Sequence, residues 1–203
     1  MNTKTPNLLH QDGIALYYEK AIPENQVKQL FDELLNHISW ENERVVMFGK
    51  EIITKRKVAF YSDPSIAYTY ASSTKVGLPW KETLITLKNI VESITKEKYN
   101  ACLLNLYHNG DEAMGWHCDN EKEIVANSSI ASFSIGASRK FSFKHKLTKE
   151  TISIQLGNGS LLEMKGPIQQ HWLHSLPKSK KVTESRINLT FRQMHTPRGI
   201  NEK

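Results

Sequence analysis

Residues 171–193 read HWLHSLPKSKKVTESRINLTFRQ, and the last third of that stretch decides how the chain folds around its chemistry. Ile187, Leu189 and Phe191 alternate with Arg186, Asn188, Thr190 and Arg192. Alternation with period two is that of a β-strand, whose successive side chains point to opposite faces. One face then carries two arginines, an amide and a hydroxyl, groups that are costly to bury without partners. Either that face lies in water, or it lines a polar pocket where guanidinium forks grip a carboxylate or a phosphate.

The residues upstream favour the pocket. His174 stands twelve positions before Arg186, and WHCDNE at 116–121 offers His117 and Asp119. Two positions apart on an extended segment, those side chains point the same way. Two imidazoles and one carboxylate make the facial triad of non-haem Fe(II) oxygenases, which leaves coordination positions open for cosubstrate and oxygen. His-x-Asp alone recurs by chance. A second histidine shortly before an arginine-bearing strand makes the pattern specific.

YHNGDEAMGWHCDNE, ASFSIGASRKFSFKHK, GSLLEM and HWLHSLP…RINLTFR resemble the AlkB family of Fe(II)/2-oxoglutarate nucleic-acid dealkylases, most closely its duplex-DNA-acting branch. The resemblance runs from about Arg44 to Met194. It implies that Fe(II) sits on His117, Asp119 and His174 and that 2-oxoglutarate chelates it. The far carboxylate of 2-oxoglutarate would meet Arg186, with Asn105, Tyr107, Thr190 and Arg192 completing the pocket. With O2 as the other cosubstrate, the implied reaction is oxidative DNA dealkylation. N-methyl groups of 1-methyladenine and 3-methylcytosine would be hydroxylated, with release of formaldehyde, succinate and CO2. The methylated base must leave the helix to reach the metal. A flipped cationic base would stack on Tyr70 and against His117, with Tyr68 and Glu121 at its edge; such cation–π attraction is worth about 0.5–2 kcal/mol. Two positions depart from the branch's pattern: Ser179 stands where a basic residue is usual, and Tyr70 where Phe is frequent.

The rest of the chain fits one domain. With 203 residues, 39% hydrophobic and 24% charged, it is long enough for a sizeable core. The expected limits are a flexible tail over 1–10, a single dioxygenase domain over 11–195 and a C-terminal tail over 196–203. No apolar run approaches membrane-spanning length, and MNTKTPNLLHQDG lacks a signal-peptide core. Cys102 and Cys118 have no paired spacing and suggest a reducing compartment: cytoplasmic, or nuclear in a eukaryote. The formal net charge of +6 suits a polyanionic partner without establishing one. Duplex DNA is the expected partner, with single strands and RNA left open; no membrane is expected, and the chain is expected to be a monomer.

In chain order, Ile14–Tyr18 reads as a short strand. Pro23 suits a first helical position, and Val27, Leu30, Phe31, Leu34, Leu35 and Ile38 recur at helical spacing. A second helix should follow Pro79, with Leu84, Leu87, Ile90, Val91 and Ile94 inward. Both helices are expected to cover a sheet. ACLLNLY, SIASFSIGA, RKFSFKHK, TISIQL, GSLLEM and RINLTFRQM are short strands between turn signals. That number favours a sandwich, jelly roll or open barrel. With the resemblance added, the expected fold is α+β with a mainly β core: a double-stranded β-helix (jelly roll) with helices packed outside.

Residues from about 43 to 78 are expected to recognise the nucleotide. ERVVMFGKEIITKRKVAFYSD suggests a hairpin turning near Gly49, then a loop with Tyr68, Tyr70 and Lys75. Phe48 at the tip either folds back on the core or enters a base stack as an aromatic wedge. Lys50, Lys55, Arg56 and Lys57 would meet phosphates, as would Lys180 and Lys181 in the loop after His174. His171, His145 and His108 read as structural rather than as ligands. A 2-oxoglutarate hydroxylase of a protein or small molecule, a Zn(II) hydrolase and a binding module with a degenerate site are the alternatives. The last leaves intact His117, Asp119, His174 and Arg186 unexplained.

Overall fold

The structure is a computed structural model that describes residues 5–47, 50–70 and 73–196, with backbone alone over 45–47, 50–51, 68–70 and 73–75. The strands are β1 (Ile14–Tyr18), β2 (Glu41–Met47), β3 (Lys50–Ser62), β4 (Ala67–Tyr70), β5 (Ser73–Val76), β6 (Ala101–Tyr107), β7 (Met114–His117) and β8 (Ile130–Gly136). They continue as β9 (Arg139–His145), β10 (Thr151–Leu156), β11 (Ser160–Lys165), β12 (Trp172–Leu176) and β13 (Arg186–Arg192). The helices are α1 (Glu24–His37), α2 (Glu82–Thr95) and the short α3 (Ile168–His171).

A seven-stranded sheet runs in the order β1-β11-β8-β13-β6-β3-β2, and a four-stranded sheet in the order β10-β9-β12-β7. Pairing within them is antiparallel throughout. This is the expected jelly roll with helices outside. Strand β13 is central: Asn188 sits opposite Asn105 of β6 on one side and Ser134 of β8 on the other. Its odd-numbered residues Ile187, Leu189 and Phe191 join Leu104, Leu106, Phe133 and Ile135 beneath Val27 and Leu34 of α1 and Leu84, Leu87 and Val91 of α2. Its even-numbered residues face the space between the sheets, whose apolar floor includes Phe141, Phe143, Met164 and Trp172. Burial of this apolar surface, at roughly 25 cal/mol per Å², is what holds the sheets and helices together.

The helices answer to their periodicity, although Leu35 stays 37% exposed at the margin of the buried face. Two expectations need correction, and two strands go beyond them. The loop expected to carry Tyr68, Tyr70 and Lys75 is a second hairpin, with β4 and β5 pairing Tyr68 opposite Lys75. Strands β7 and β12 were not anticipated, because MGWH and WLHSL are short and lack clean alternation. The expected tail is anchored from Asn7: its Oδ1 accepts from Leu9 N and Ala15 N, and its Nδ2 donates to Gly13 O. Asp119 lies two residues beyond the end of β7. The hairpin of β2 and β3 is present, with Met47 opposite Lys50. Phe48 and Gly49 lie outside the described residues, as do the side chains of Tyr68 and Tyr70.

Candidate metal and anion site

Two sheets converge on one pocket lined by His117, Asp119, His174, Asn105, Tyr107 and Arg186, among others. Strand pairing brings the histidines together: His174 of β12 stands directly opposite His117 of β7, with ring centroids 4.2 Å apart. The Oδ1 of Asp119 is 3.7 Å from Nε2 of each imidazole. These donor atoms all lie within 4.8 Å of one another. Phe141 stacks on the His174 ring at 5.5 Å, an apolar wall that keeps it in place.

The neighbours of the triad set its protonation. His117 Nδ1 lies 2.8 Å from the Gly115 carbonyl, to which it can only donate. Its Nε2 therefore carries a lone pair into the pocket, the arrangement that metal-binding histidines use. Burial, reinforced by the charge of His174, lowers the His117 pKa to about 4. Burial alone would push the Asp119 carboxyl up, but Arg192, His174 and His117 more than reverse this and hold it well below the usual carboxylate range. Arg192 donates from Nη2 and Nε to Asp119 Oδ2 at 2.6 and 3.2 Å, leaving Oδ1 between the imidazoles. Two imidazoles and one ionised carboxylate are the donor set that Fe(II) takes.

The cationic side of the pocket lies along β13. Arg186 is 2% exposed, and its Nη2 donates to Ser134 Oγ at 2.9 Å and to Asn188 Oδ1 at 2.6 Å, both neutral groups. Asn188 is itself held by Ser132 Oγ and by donation to Thr190 Oγ1. Arg186 Nε is buried without a hydrogen-bond partner, as is the Oδ1 of Asn105. Burial lowers the Arg186 pKa to about 10, the mark of a cation without a counter-charge at hand. A buried guanidinium with a free N–H beside a two-histidine, one-carboxylate cluster fits a metal-chelating dicarboxylate such as 2-oxoglutarate. Ser132, Ser134 and Asn188 were not singled out in the sequence; the alternating serines of SFSIG opposite RINLTFR were the available signal.

Tyr107 stands at the centre of three guanidiniums, with Arg186 at 5.5 Å and Arg56 and Arg139 at 5.7 Å from its ring centroid. Arg139 had also escaped notice. It donates to the carbonyls of Asn109, Glu112 and Pro177, and so ties two loops to the pocket rim. The expectation for Arg56 is overturned. It is 6% exposed, paired with Glu43 and close to Met114 Sδ, so its charge is spent inside the protein rather than on a phosphate. Sequence reasoning missed the pairing because Glu43 approaches only across the β2–β3 ribbon.

Lys180 and Lys181 are exposed in the loop between β12 and β13. That loop is pinned by hydrogen bonds between Ser179 N and Gly110 O and between Gly110 N and Val182 O. A Cβ on Gly110 would collide with the Ser179 carbonyl, so glycine permits the approach. Glu121 is half-buried in the turn after Asp119, where its carbonyl accepts from Ile124 N. Cys102 and Cys118 are free thiols. Among the described residues, no helix is long and apolar enough to cross a membrane.

Residues 14–192 match the family model of the 2OG-Fe(II) oxygenase superfamily. The chain is 35% identical to the DNA oxidative demethylase ALKBH2 of Bos taurus over 92% of its own length and 71% of that protein. It is 35% identical to the Mus musculus ALKBH2 over 94% of its length and 85% of that protein. The alpha-ketoglutarate-dependent dioxygenase alkB homolog 3 of Homo sapiens is 32% identical, over 90% of this chain and 67% of that protein. The solved structure of OsALKBH1 superposes with a TM-score of 0.62 at 17% identity, covering 88% of this chain and 97% of that one, a likeness of fold.

Proposed function

The chain belongs to the AlkB family within the 2OG-Fe(II) oxygenase superfamily and is a dioxygenase, and from that premise we propose that it removes N-methyl groups from 1-methyladenine and 3-methylcytosine in DNA. The observation that carries the reading is Arg186: a buried cation, short of a hydrogen-bond partner, in the same pocket as His117, Asp119 and His174. The far carboxylate of 2-oxoglutarate gives that group a partner.

In this reading His117 Nε2, Asp119 Oδ1 and His174 hold Fe(II), while Arg192 fixes the other oxygen of Asp119. Arg186, steadied by Ser134 and Asn188, takes the far carboxylate of 2-oxoglutarate; Asn105, Tyr107, Thr190 and Arg192 line the same cavity. Bound iron with 2-oxoglutarate and O2 supplies the oxidation, turning the N-methyl group into formaldehyde and 2-oxoglutarate into succinate and CO2. The protein supplies position and a water-poor setting. Phe141 and Met114 wall the metal side, and the Arg192–Asp119 pair keeps the carboxylate ionised. By their places in the sequence, Tyr68, Tyr70 and Glu121 receive the flipped base, and Glu121 favours a cationic one. Lys180 and Lys181, both exposed, meet phosphates.

DNA is supported by the DNA oxidative demethylase activity of the ALKBH2 relatives and by the positive balance of the chain. Duplex over single strand rests on Phe48, at the tip of the β2–β3 hairpin by sequence. An apolar ring there fills the gap that a flipped base leaves, a gap absent from a single strand. The test is formaldehyde release from a panel of methylated DNA and RNA oligonucleotides, duplex and single-stranded, with iron and 2-oxoglutarate. Release from 1-methyladenine and 3-methylcytosine in DNA is expected, and Phe48→Ala should slow the duplex reaction far more than the single-stranded one. No release from any oligonucleotide, with 2-oxoglutarate consumed on a protein or small molecule, would overturn the reading.

A further inference from the structure

Strand β7 is the edge of the four-stranded sheet. His117 and Met114 both line the pocket, across a register shift in the pairing with β12, whereas Trp116 alternates with His117 to the other face and is 46% exposed. Lys144 of β9 reaches across β12 and places its Nζ 5.9 Å from the centre of the Trp116 ring. The register defines the rest of that outer face. Thr151, Lys144 and Leu173 form one row, Ser153, Ser142 and Ser175 the next, and Gln155 with Lys140 a third. Those rows hold two lysines and no carboxylate, and helices α1 and α2 cover the other sheet. Gly115 leaves open space where a side chain would project.

An indole half in water beside an ammonium, next to strand rows free of acids, has the composition of a surface that stacks a base and meets its phosphate. Its place decides which base. Consecutive Cα atoms are about 3.8 Å apart, so Trp116 begins one residue from the candidate metal ligand His117 but on the opposite side of an edge strand. A polynucleotide that delivers one base to the pocket and leaves over that edge meets Trp116 next.

We propose that Trp116 and Lys144 form a stacking platform for the nucleotide that flanks the one in the pocket, with the indole under the base and the ammonium on the phosphate. The inference rests on the proposed action on nucleic acid. It adds a second nucleotide site outside the pocket, and this site would lower the KM of a strand relative to that of a single nucleotide.

The test compares wild-type protein with Trp116→Ala, Trp116→Phe and Lys144→Ala, using the full chain loaded with iron and 2-oxoglutarate. The probe is a fluorescein-labelled single-stranded DNA oligonucleotide with one internal 1-methyladenine. Anaerobic fluorescence anisotropy gives its affinity, and formaldehyde release gives its KM beside that of the methylated mononucleotide. Trp116→Ala should weaken oligonucleotide binding by about 5- to 150-fold, the loss expected for one base–aromatic stack. The KM of the oligonucleotide should rise relative to that of the mononucleotide, and Trp116→Phe should restore most of the loss. Lys144→Ala should reduce the slope of log affinity against log salt by about 0.7, one single-strand phosphate contact. Equal oligonucleotide affinity in wild type and Trp116→Ala would overturn the platform while leaving the proposed function standing. A wild type that neither binds nor demethylates the oligonucleotide would remove both.

Discussion

Among the described residues, two groups of two histidines and an aspartate could hold a metal ion: His117, Asp119 and His174, and Asp12, His145 and His171. By composition they are the same site; by hydrogen bonding they differ. In the first, Gly115 O accepts a hydrogen bond from His117 Nδ1–H, which leaves the Nε2 lone pair free to coordinate. In the second, His145 Nδ1 accepts from Thr148 N at 3.1 Å, which places the ring proton on Nε2. That proton points at Asp12 Oδ2, 3.2 Å away. His145, 1% exposed and edge-on to Trp172, is thus a buried donor tying Asp12 to the end of β9. A metal centre needs lone pairs that converge, and a backbone amide or carbonyl on the far ring nitrogen decides whether they do.

The comparison breaks most sharply on turnover. His117→Ala or His174→Ala should abolish succinate formation in a folded protein, whereas His171→Ala should retain it. Succinate formation at the wild-type rate in either of the first two variants would remove that residue from the assignment.

The next effect concerns the groups that surround each cluster. The pocket contains the buried cation Arg186 with an unpartnered Nε; the cluster at Asp12 has no such feature among the described residues. Arg186→Lys keeps the charge but loses the planar fork. Charge-assisted hydrogen bonds are worth about 1.5–3 kcal/mol, so the KM for 2-oxoglutarate should rise by about 10- to 150-fold. An unchanged KM would place the anion elsewhere, with Arg192 the next residue to examine.

Reading the sequence recovered the first cluster and passed over the second for the same physical reason. Alternation along RINLTFR fixes which side chains of β13 share a face, and His-x-Asp is a local pattern, so the pocket announces itself within short stretches. Asp12 and His145 meet across 133 positions, and nothing in either neighbourhood signals the contact. Arg56 misled in the same way, since its partner Glu43 is brought near only by ribbon pairing. Strand β12, which delivers His174, was hidden by a sequence of mixed polarity; only its pairing with β7 and β9 defines it. Local periodicity shows faces, while the protonation of a histidine is set by contacts that periodicity does not carry.

A smaller effect should separate structure from catalysis. His145→Ala removes a buried hydrogen-bonded group, a loss of about 1–3 kcal/mol. In a chain of this size each kcal/mol shifts Tm by about 2–4 °C, so the melting temperature should fall by several degrees while the KM for 2-oxoglutarate holds. A raised KM with no change in Tm would give His145 a role at the pocket that its contacts do not indicate. The smallest effect belongs to the exposed loop: Lys180→Ala should shallow the salt dependence of duplex binding by about 0.9 in log–log slope, with no change in Tm.

The central claim is tested most directly by counting metal. Wild type, His171→Ala and His174→Ala would be loaded with Fe(II) under anaerobic conditions and desalted, and bound iron measured against protein. Hydrogen bonding at the two clusters predicts about one iron per chain in wild type and in His171→Ala, on the donor set of a facial triad, and almost none in His174→Ala. Iron retained by His174→Ala, or lost from His171→Ala, would put the metal on the other cluster and contradict the account.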